Sequence, residues 1–117
     1  MSTWDEHIFT SEDNVEFLED LKSLEEDDVI EAIHDAIMLA TGESQANEEE
    51  EQNALAAATI AAIWAGAPFT AGDVVSNYPY IRDLVGYSAE SLNEKATELL
   101  EEVEEEFDLE PFLEALA

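Results

Sequence analysis

The feature that most constrains the fold is a stretch of 20 residues, 53–72, that carries no charged side chain within a strongly acidic chain. Over its first part the sequence places bulky side chains on one helical stripe and alanines on the opposite stripe. The bulky stripe consists of Leu55, Ala56, Thr59, Ile60, Ile63 and Trp64, and the alanine stripe of Ala54, Ala58, Ala61, Ala62 and Ala65. An uncharged helix with small residues on its back can be approached by other helices from several sides. We therefore expect residues 48–65 to form the central helix of the domain.

The same stretch is not expected to cross a membrane. It is broken by Gly66, Pro68 and Gly72, whereas a membrane span needs roughly 20 predominantly apolar residues. Residues 1–9 have neither a basic region nor an apolar run and so predict no secretion signal. The chain has no cysteine, which excludes disulfides, thiol catalysis and thiolate metal sites. These features predict a soluble, cytoplasmic protein.

Apolar side chains recur at helical spacing ahead of the central helix. Thr10 begins a pattern close to a capping box, which precedes a first helix through residues 14–24. Asp27 or Asp28 caps a second helix that ends at Gly42. The residues predicted to face the core are Val15, Leu18, Leu21, Val29, Ile30, Ile33, Ala36, Ile37 and Ala40, with Phe17 and Leu24 beside the first stripe.

Residues 66–87 form an irregular connection after the central helix, in which Pro79 opens a short helical segment. The only strand that the pattern allows is a short one near residues 74–75. Ser88 caps the last long helix, and Pro111 lies in the first turn of a final one, where proline is tolerated. The predicted core positions of the last long helix are Leu92, Ala96, Leu99, Val103 and Phe107.

These patterns predict an all-α fold, a single-domain orthogonal bundle of about five helices around the Ala-rich central helix. The domain spans residues 1–117, and residues 1–12 form an N-terminal aromatic anchor segment. Trp4 and Phe9 of that segment are expected to be buried structural anchors, and the side chains between them to face water. Trp64 is expected to be a third anchor, although it could also face a second copy of the chain, which leaves a homo-oligomer open.

The charge balance restricts the partners. The chain has 31 Asp and Glu against three Lys and Arg, a formal net charge of −28. Such a charge opposes compaction and nearly excludes direct binding to bare nucleic acid or to an anionic membrane. Two interpretations remain. The acids belong to a halophile's surface, where salt shortens the Debye length to ~3 Å, or they form a face for a basic partner.

Two patterns resemble chemical sites. Glu31 and His34 form an E-x-x-H motif on a helix, but ferritin-like metal sites need two such motifs and two further glutamates. The other histidine, His7, lies next to Asp5 and Glu6 and could be a general base. No nucleophile is paired with it, and three cations leave little to bind an oxyanion. We therefore predict no catalytic residue, no metal site and no cofactor.

Two glutamate runs, residues 48–51 and 101–106, lack the ligand spacing of a calcium loop. Such runs are usually solvated faces, and the alternative is contact with a basic protein. Carboxylates aligned in rows could also imitate the phosphates of a duplex. The residues predicted to bind a partner are Glu48, Glu49, Glu50, Glu51, Glu101, Glu102, Glu104 and Glu105.

Aromatic residues of the irregular connection indicate where a small-ligand pocket would be sought. This region holds Arg82 amid three tyrosines, Tyr78, Tyr80 and Tyr87. Aromatic residues beside an Ala-rich helix more often belong to the core. Both interpretations stay open at the level of sequence.

The opening motif resembles that of a bacterial and archaeal family of unknown function, DUF4259, whose members begin W-G-x-G-x-F-D-N-D before an A-x-D-W-x-x-x-L helix. Trp4 and Phe9 match at the family's spacing, whereas Asp5 and His7 replace both glycines. The remaining matches are Asp13, Asn14, Phe17, Leu18 and Leu21, the segment ALAAATIAAIWAG and the segment ESLNEKATELLEEV. The family's late S-E-L-x-x-L-W stretch has no clear counterpart. The resemblance implies a helical domain with no assigned activity, a conformational role for the opening motif and no catalytic residue.

Three functions are compatible with the sequence. The first is a non-enzymatic, acidic helical domain, a protein-interaction module that binds a basic partner through glutamate-rich faces. The second is a halophile-adapted domain whose acidity is solvent adaptation. The third is a DNA mimic that inhibits a nucleic-acid-binding protein.

Overall fold

The structure, a computed structural model, describes residues 4–41, 47–67, 76–87, 90–101 and 109–116. Those residues form seven helices and no strand, which confirms the all-α prediction. The helices are α1 (Trp4–Thr10), α2 (Glu12–Lys22), α3 (Glu26–Thr41), α4 (Glu48–Trp64), α5 (Pro79–Asp83), α6 (Glu90–Glu101) and α7 (Glu110–Leu116). The count exceeds the expected five or so, mainly because residues 4–10 form a helix that the sequence pattern did not predict. None of the helices in the described ranges is long and apolar enough to cross a membrane.

The central helix is α4. Its side chains are buried on every face after the first two turns, and it contacts each of the other six helices. Alanine accounts for this arrangement, because its small side chain lets neighbouring backbones approach closely. The buried residues of α4 are Ala54, Ala56, Ala57, Ala58, Thr59, Ile60, Ala61, Ala62, Ile63 and Trp64. Gly66, with φ of +116°, ends the helix in the left-handed region that favours glycine.

Residues 4–10 of the opening segment are helical, whereas the sequence predicted only an aromatic anchor ahead of the first helix. Ser11, in an extended conformation, separates α1 from α2. Thr10 does not cap α2 as predicted. Its hydroxyl instead donates to the carbonyl of His7, at 3.4 Å. The corner between the two helices is held by Asn14, whose Nδ2 donates to the carbonyl of Ile8 at 2.8 Å.

The buried face of α2 differs from the predicted stripe. Leu18 and Leu21 are buried, and the third buried residue is Asn14. Val15 and Leu24, which were predicted to face the core or to flank it, are exposed. The buried arc is rotated toward Asn14 because this amide has a partner in α1, which a pattern of apolar residues does not reveal.

The predicted cap of α3 is also wrong, since the helix begins at Glu26 and Asp27 and Asp28 both lie in its first turn. The amide of Val29 donates to the carbonyl of Glu25 at 2.9 Å. Acids in a first turn still favour the helix through its dipole. The apolar face agrees with the prediction, with Val29, Ile33 and Ile37 buried and Ile30, Ala36 and Ala40 half-buried.

The later helices follow the predicted periodicity. Leu92, Ala96 and Leu99 of α6 are buried, as is Leu100. Pro79 is the first residue of α5, and α7 buries Phe112 and Leu116. Predictions for Gly42, residues 74–75, Ser88, Val103 and Phe107 lie outside the described residues.

Candidate interaction surfaces

The acidic side chains of the described residues all lie at the surface, exposed or half-buried. Three Lys and Arg residues can neutralise only a small part of 31 carboxylates. Lys95 is paired within α6, its Nζ 3.4 Å from Glu98. Most of the carboxylates therefore have no Lys or Arg of the chain to pair with.

A first groove, called the α6 groove below, has a volume of about 640 Å³. Glu90, Glu94 and Glu98 follow one another at steps of four residues, about 6 Å along the helix axis. Glu101 continues the row and is the one member that belongs to a predicted glutamate run. Among the described residues, the groove is lined by Glu90, Asn93, Glu94, Thr97, Glu98, Glu101 and Leu116.

A second groove, called the α2–α4 groove, has a volume of about 350 Å³. Its lining is Val15, Glu16, Phe17, Glu19, Asp20, Glu49 and Asn53. Glu49 comes from the other predicted run, and the remaining acids come from α2. Val15 is 39% exposed and Phe17 is half-buried, so apolar surface lies between the carboxylates.

Asn53 contributes an unusual feature to the α2–α4 groove. Its Oδ1 is shielded from solvent and has no hydrogen-bond partner. A buried polar atom without a partner is destabilising compared with a paired one. This unpaired oxygen is a feature of the groove separate from its carboxylates.

The first predicted glutamate run, residues 48–51, has a structural role as well. Glu50 and Asn47 form a capping box at the start of α4, in which the Glu50 amide donates to Asn47 Oδ1 at 2.8 Å. The Asn47 amide donates in turn to Glu50 Oε1 at 3.0 Å. Glu48, Glu49 and Glu51 remain exposed in the same turn. Of the second run, the side chains of Glu102, Glu104 and Glu105 lie outside the described residues.

The tyrosines of the predicted small-ligand pocket make two separate sets of contacts. Tyr78 donates to Glu19 Oε1 at 3.0 Å, and Tyr80 donates to the carbonyl of Leu18 at 3.1 Å. Tyr87 lies elsewhere and meets the Trp64 ring edge-on, with centroids 5.8 Å apart.

Arg82, the remaining residue of that predicted pocket, is exposed on α5. Neither groove is lined by Arg82 or by the three tyrosines. A ligand site at these four residues stays a prediction.

The contacts on α2 also change the titration of two phenols. Burial raises the pKa of Tyr78 above its ordinary value of 10.0, and the hydrogen bond to Glu19 and the charge of Glu19 act in the same direction. Burial raises the pKa of Tyr80 further, with smaller contributions from Tyr78 and Glu19. Both phenols are therefore held in their neutral form.

Two of the three predicted structural anchors are buried. Phe9 is 1% exposed and Trp64 is fully buried, while the side chain of Trp4 lies outside the described part of the chain.

His7 is exposed on α1, and His34 is half-buried on α3. The described residues contain no group of three His, Asp or Glu side chains arranged to hold a metal ion. The side chains of Asp5 and Glu6 lie outside the described residues.

Sequence reasoning missed most of the groove residues. The spacing of Glu90, Glu94 and Glu98 was a readable signal, because residues four apart lie on one helical face. The α2–α4 groove was harder to predict from the sequence, because the apolar pattern predicts that Val15 faces the core. Only the packing of α2 on α4 brings Glu16 close to Glu49.

Residues 2–115 match a family described as "Domain of unknown function (DUF4259)". No curated protein and no solved structure matches the chain. The family match includes the opening motif, the central helix and the described residues of both grooves except Leu116. The chain therefore belongs to the DUF4259 family, as its opening motif and Ala-rich helix predict.

Proposed function

We propose that the protein is a non-enzymatic interaction domain that binds a basic protein partner through glutamate-rich surfaces. The main support for this proposal is the row of glutamates in the α6 groove. Glu90, Glu94 and Glu101 of that row have no Lys or Arg partner within the described part of the chain. A partner with lysines or arginines at a similar spacing would neutralise them.

The strength of these ion pairs determines how binding should depend on salt. Exposed ion pairs contribute only ~0.2–1 kcal/mol each, so binding needs several of them at once. A net charge of −28 attracts a basic partner over a distance comparable to the Debye length, about 8 Å at physiological ionic strength. Association should therefore be fast at low salt and should weaken steeply as salt is added.

Solvent adaptation in a halophile is the main alternative. The acids of α3, such as Glu31 and Asp35, are exposed outside either groove and are consistent with an acidity spread over the whole surface.

The DNA-mimic alternative is a narrower form of the proposal, in which the partner is a nucleic-acid-binding protein. The regular spacing of the α6 row supports that form.

The test is affinity capture from native lysate by the immobilised full chain, with the retained proteins identified and then purified for direct binding. We expect a basic protein to be retained at physiological salt and released at molar salt. The Glu90→Gln and Glu94→Gln double variant should bind it more weakly. A control pair on α3, Glu31→Gln and Asp35→Asn, removes as many charges at the same spacing and should have a smaller effect.

Three outcomes decide between the alternatives. If no protein is retained at either low or physiological salt, the interaction proposal fails and solvent adaptation is favoured. If the retained partner is displaced by duplex DNA, the DNA-mimic form is supported. If duplex DNA leaves the complex intact, that form is excluded.

A further inference from the structure

We propose that the α2–α4 groove is the docking site for one kind of segment, in which lysine or arginine side chains flank apolar ones. This inference rests on the proposed function and names the part of the basic partner that the protein recognises. Three features of the groove favour such a segment: its apolar surface, its acidic rim and an acceptor without a donor.

The apolar surface comes from Val15 and Phe17. Val15 is 39% exposed, although it lies among acids on a helix whose other large aliphatic side chains, Leu18 and Leu21, are buried. Phe17 is only partly covered by the core. Apolar side chains of a partner would remove this surface from water, which is favourable in proportion to the area buried.

The described residues that line the groove include four carboxylates and no cation. Glu16 and Asp20 lie one turn apart on α2, and Glu49 faces them from α4. The fourth carboxylate, Glu19, is held in place by the hydroxyl of Tyr78 at 3.0 Å. A purely apolar segment would desolvate these charges without pairing them, which is strongly unfavourable. The occupant therefore has to be basic as well as apolar.

The third feature is Asn53, whose Oδ1 is buried at the groove without a donor. A backbone or side-chain N–H of the occupant, together with a small rotation of the amide, would supply that donor. The described residues of the α6 groove include no such unpaired acceptor, and the one large aliphatic side chain among them, Leu116, is only 5% exposed. The two grooves therefore differ in specificity, and the α2–α4 groove is the one that selects amphipathic segments.

The experiment uses the full chain and two labelled peptides of roughly 14 residues, about four helical turns. Both peptides contain the same lysines and leucines. One places the leucines on a single helical face, and the other distributes them around the helix. We expect the first peptide to bind at least about tenfold more tightly than the second at physiological salt, measured by fluorescence anisotropy.

Matched variants locate the site. Glu16→Gln with Asp20→Asn should weaken binding of the amphipathic peptide severalfold, whereas Glu31→Gln with Asp35→Asn should change it little. Both pairs replace an exposed Glu and an exposed Asp four residues apart. Val15→Ser should likewise weaken binding, and Val85→Ser, at a valine that is 50% exposed, should not. Because all these side chains are at the surface, the variants are expected to fold, which circular dichroism checks.

The outcomes separate this inference from the proposed function. If the two peptides bind equally, or if the α2 and α3 pairs weaken binding to the same extent, the groove is not the site. The retention of a basic protein from lysate would then still support the interaction proposal. If neither peptide binds and no basic protein is retained, both proposals fail.

Discussion

Asn14 illustrates how a single residue decides the orientation of a helix. Its side chain is fully buried, and its amide donates to the carbonyl of Ile8 in the preceding helix. The cost of burying the amide is offset by this hydrogen bond, although its Oδ1 has no partner. Val15 is consequently turned outward. A pattern of apolar residues predicts the opposite, because the bond to Ile8 depends on the position of a second helix.

The first prediction concerns the opening motif, where Phe9 and His7 lie on the same short helix. Phe9 is 1% exposed and packs in the core, so Phe9→Ala should destabilise the fold by ~3–5 kcal/mol. His7 is exposed, and His7→Ala should change stability by less than ~0.5 kcal/mol. Urea unfolding of both variants measures the two effects. A larger loss for His7→Ala than for Phe9→Ala would show that Phe9 is not the anchor of this segment.

The second prediction concerns Tyr78 and Tyr80. The pKa of each phenol is raised in the folded state, so folded protein keeps protons that the unfolded chain releases above its ordinary pKa of ~10. Their contribution to stability is therefore complete below about pH 10 and is lost as the pH rises further. Urea unfolding between about pH 9 and pH 11 should show this decline in the wild type.

The double variant Tyr78→Phe and Tyr80→Phe provides the control for that pH dependence. It should start from a lower stability, since the hydrogen bonds to Glu19 and to the Leu18 carbonyl are lost. Its stability should then fall less over the same pH range. Equal declines in the variant and the wild type would show that these phenols do not cause the effect.

At the scale of elements, the predictable helices are those whose sequence pattern is long. The uncharged α4 and the periodic α3 were predicted nearly to their ends. The short α1 was not predicted as a helix, because seven residues carry too little pattern and an isolated helix of that length is unstable. It contacts α2 and α4 and depends on that packing. The α2–α4 groove could not be predicted for the same reason, since it exists only where two elements meet.

The third prediction tests how tightly α4 is enclosed. Ala58 is fully buried on the alanine stripe, so Ala58→Leu should introduce overpacking and destabilise the fold by ~1–3 kcal/mol. Ala36 of α3 is half-buried, and Ala36→Leu should be tolerated with little change. Denaturant midpoints compare the two variants. A neutral Ala58→Leu would show that neighbouring helices leave room beside this stripe.

At the scale of the whole molecule, folding and binding respond to salt in opposite directions. A net charge of −28 disfavours the compact state through self-repulsion, which added salt screens. The same screening weakens the attraction between the acidic grooves and a basic partner. An interaction domain of this composition should therefore work best at an intermediate ionic strength, where it is folded and its charges still act on the partner.

The fourth prediction follows from that opposition. The melting temperature should rise from dilute buffer to about 1 M KCl, where the Debye length falls to ~3 Å. Sucrose, which favours burial without screening charge, should not reproduce the dependence on ionic strength. In a variant with Glu31→Lys and Asp35→Lys, each substitution changes the charge by two, so the net charge goes from −28 to −24 and the rise with KCl should be smaller. Cooperative melting at high temperature in dilute buffer, with no rise in KCl, would contradict this expectation. It would also exclude solvent adaptation as the reason for the acidity and leave partner binding as its explanation.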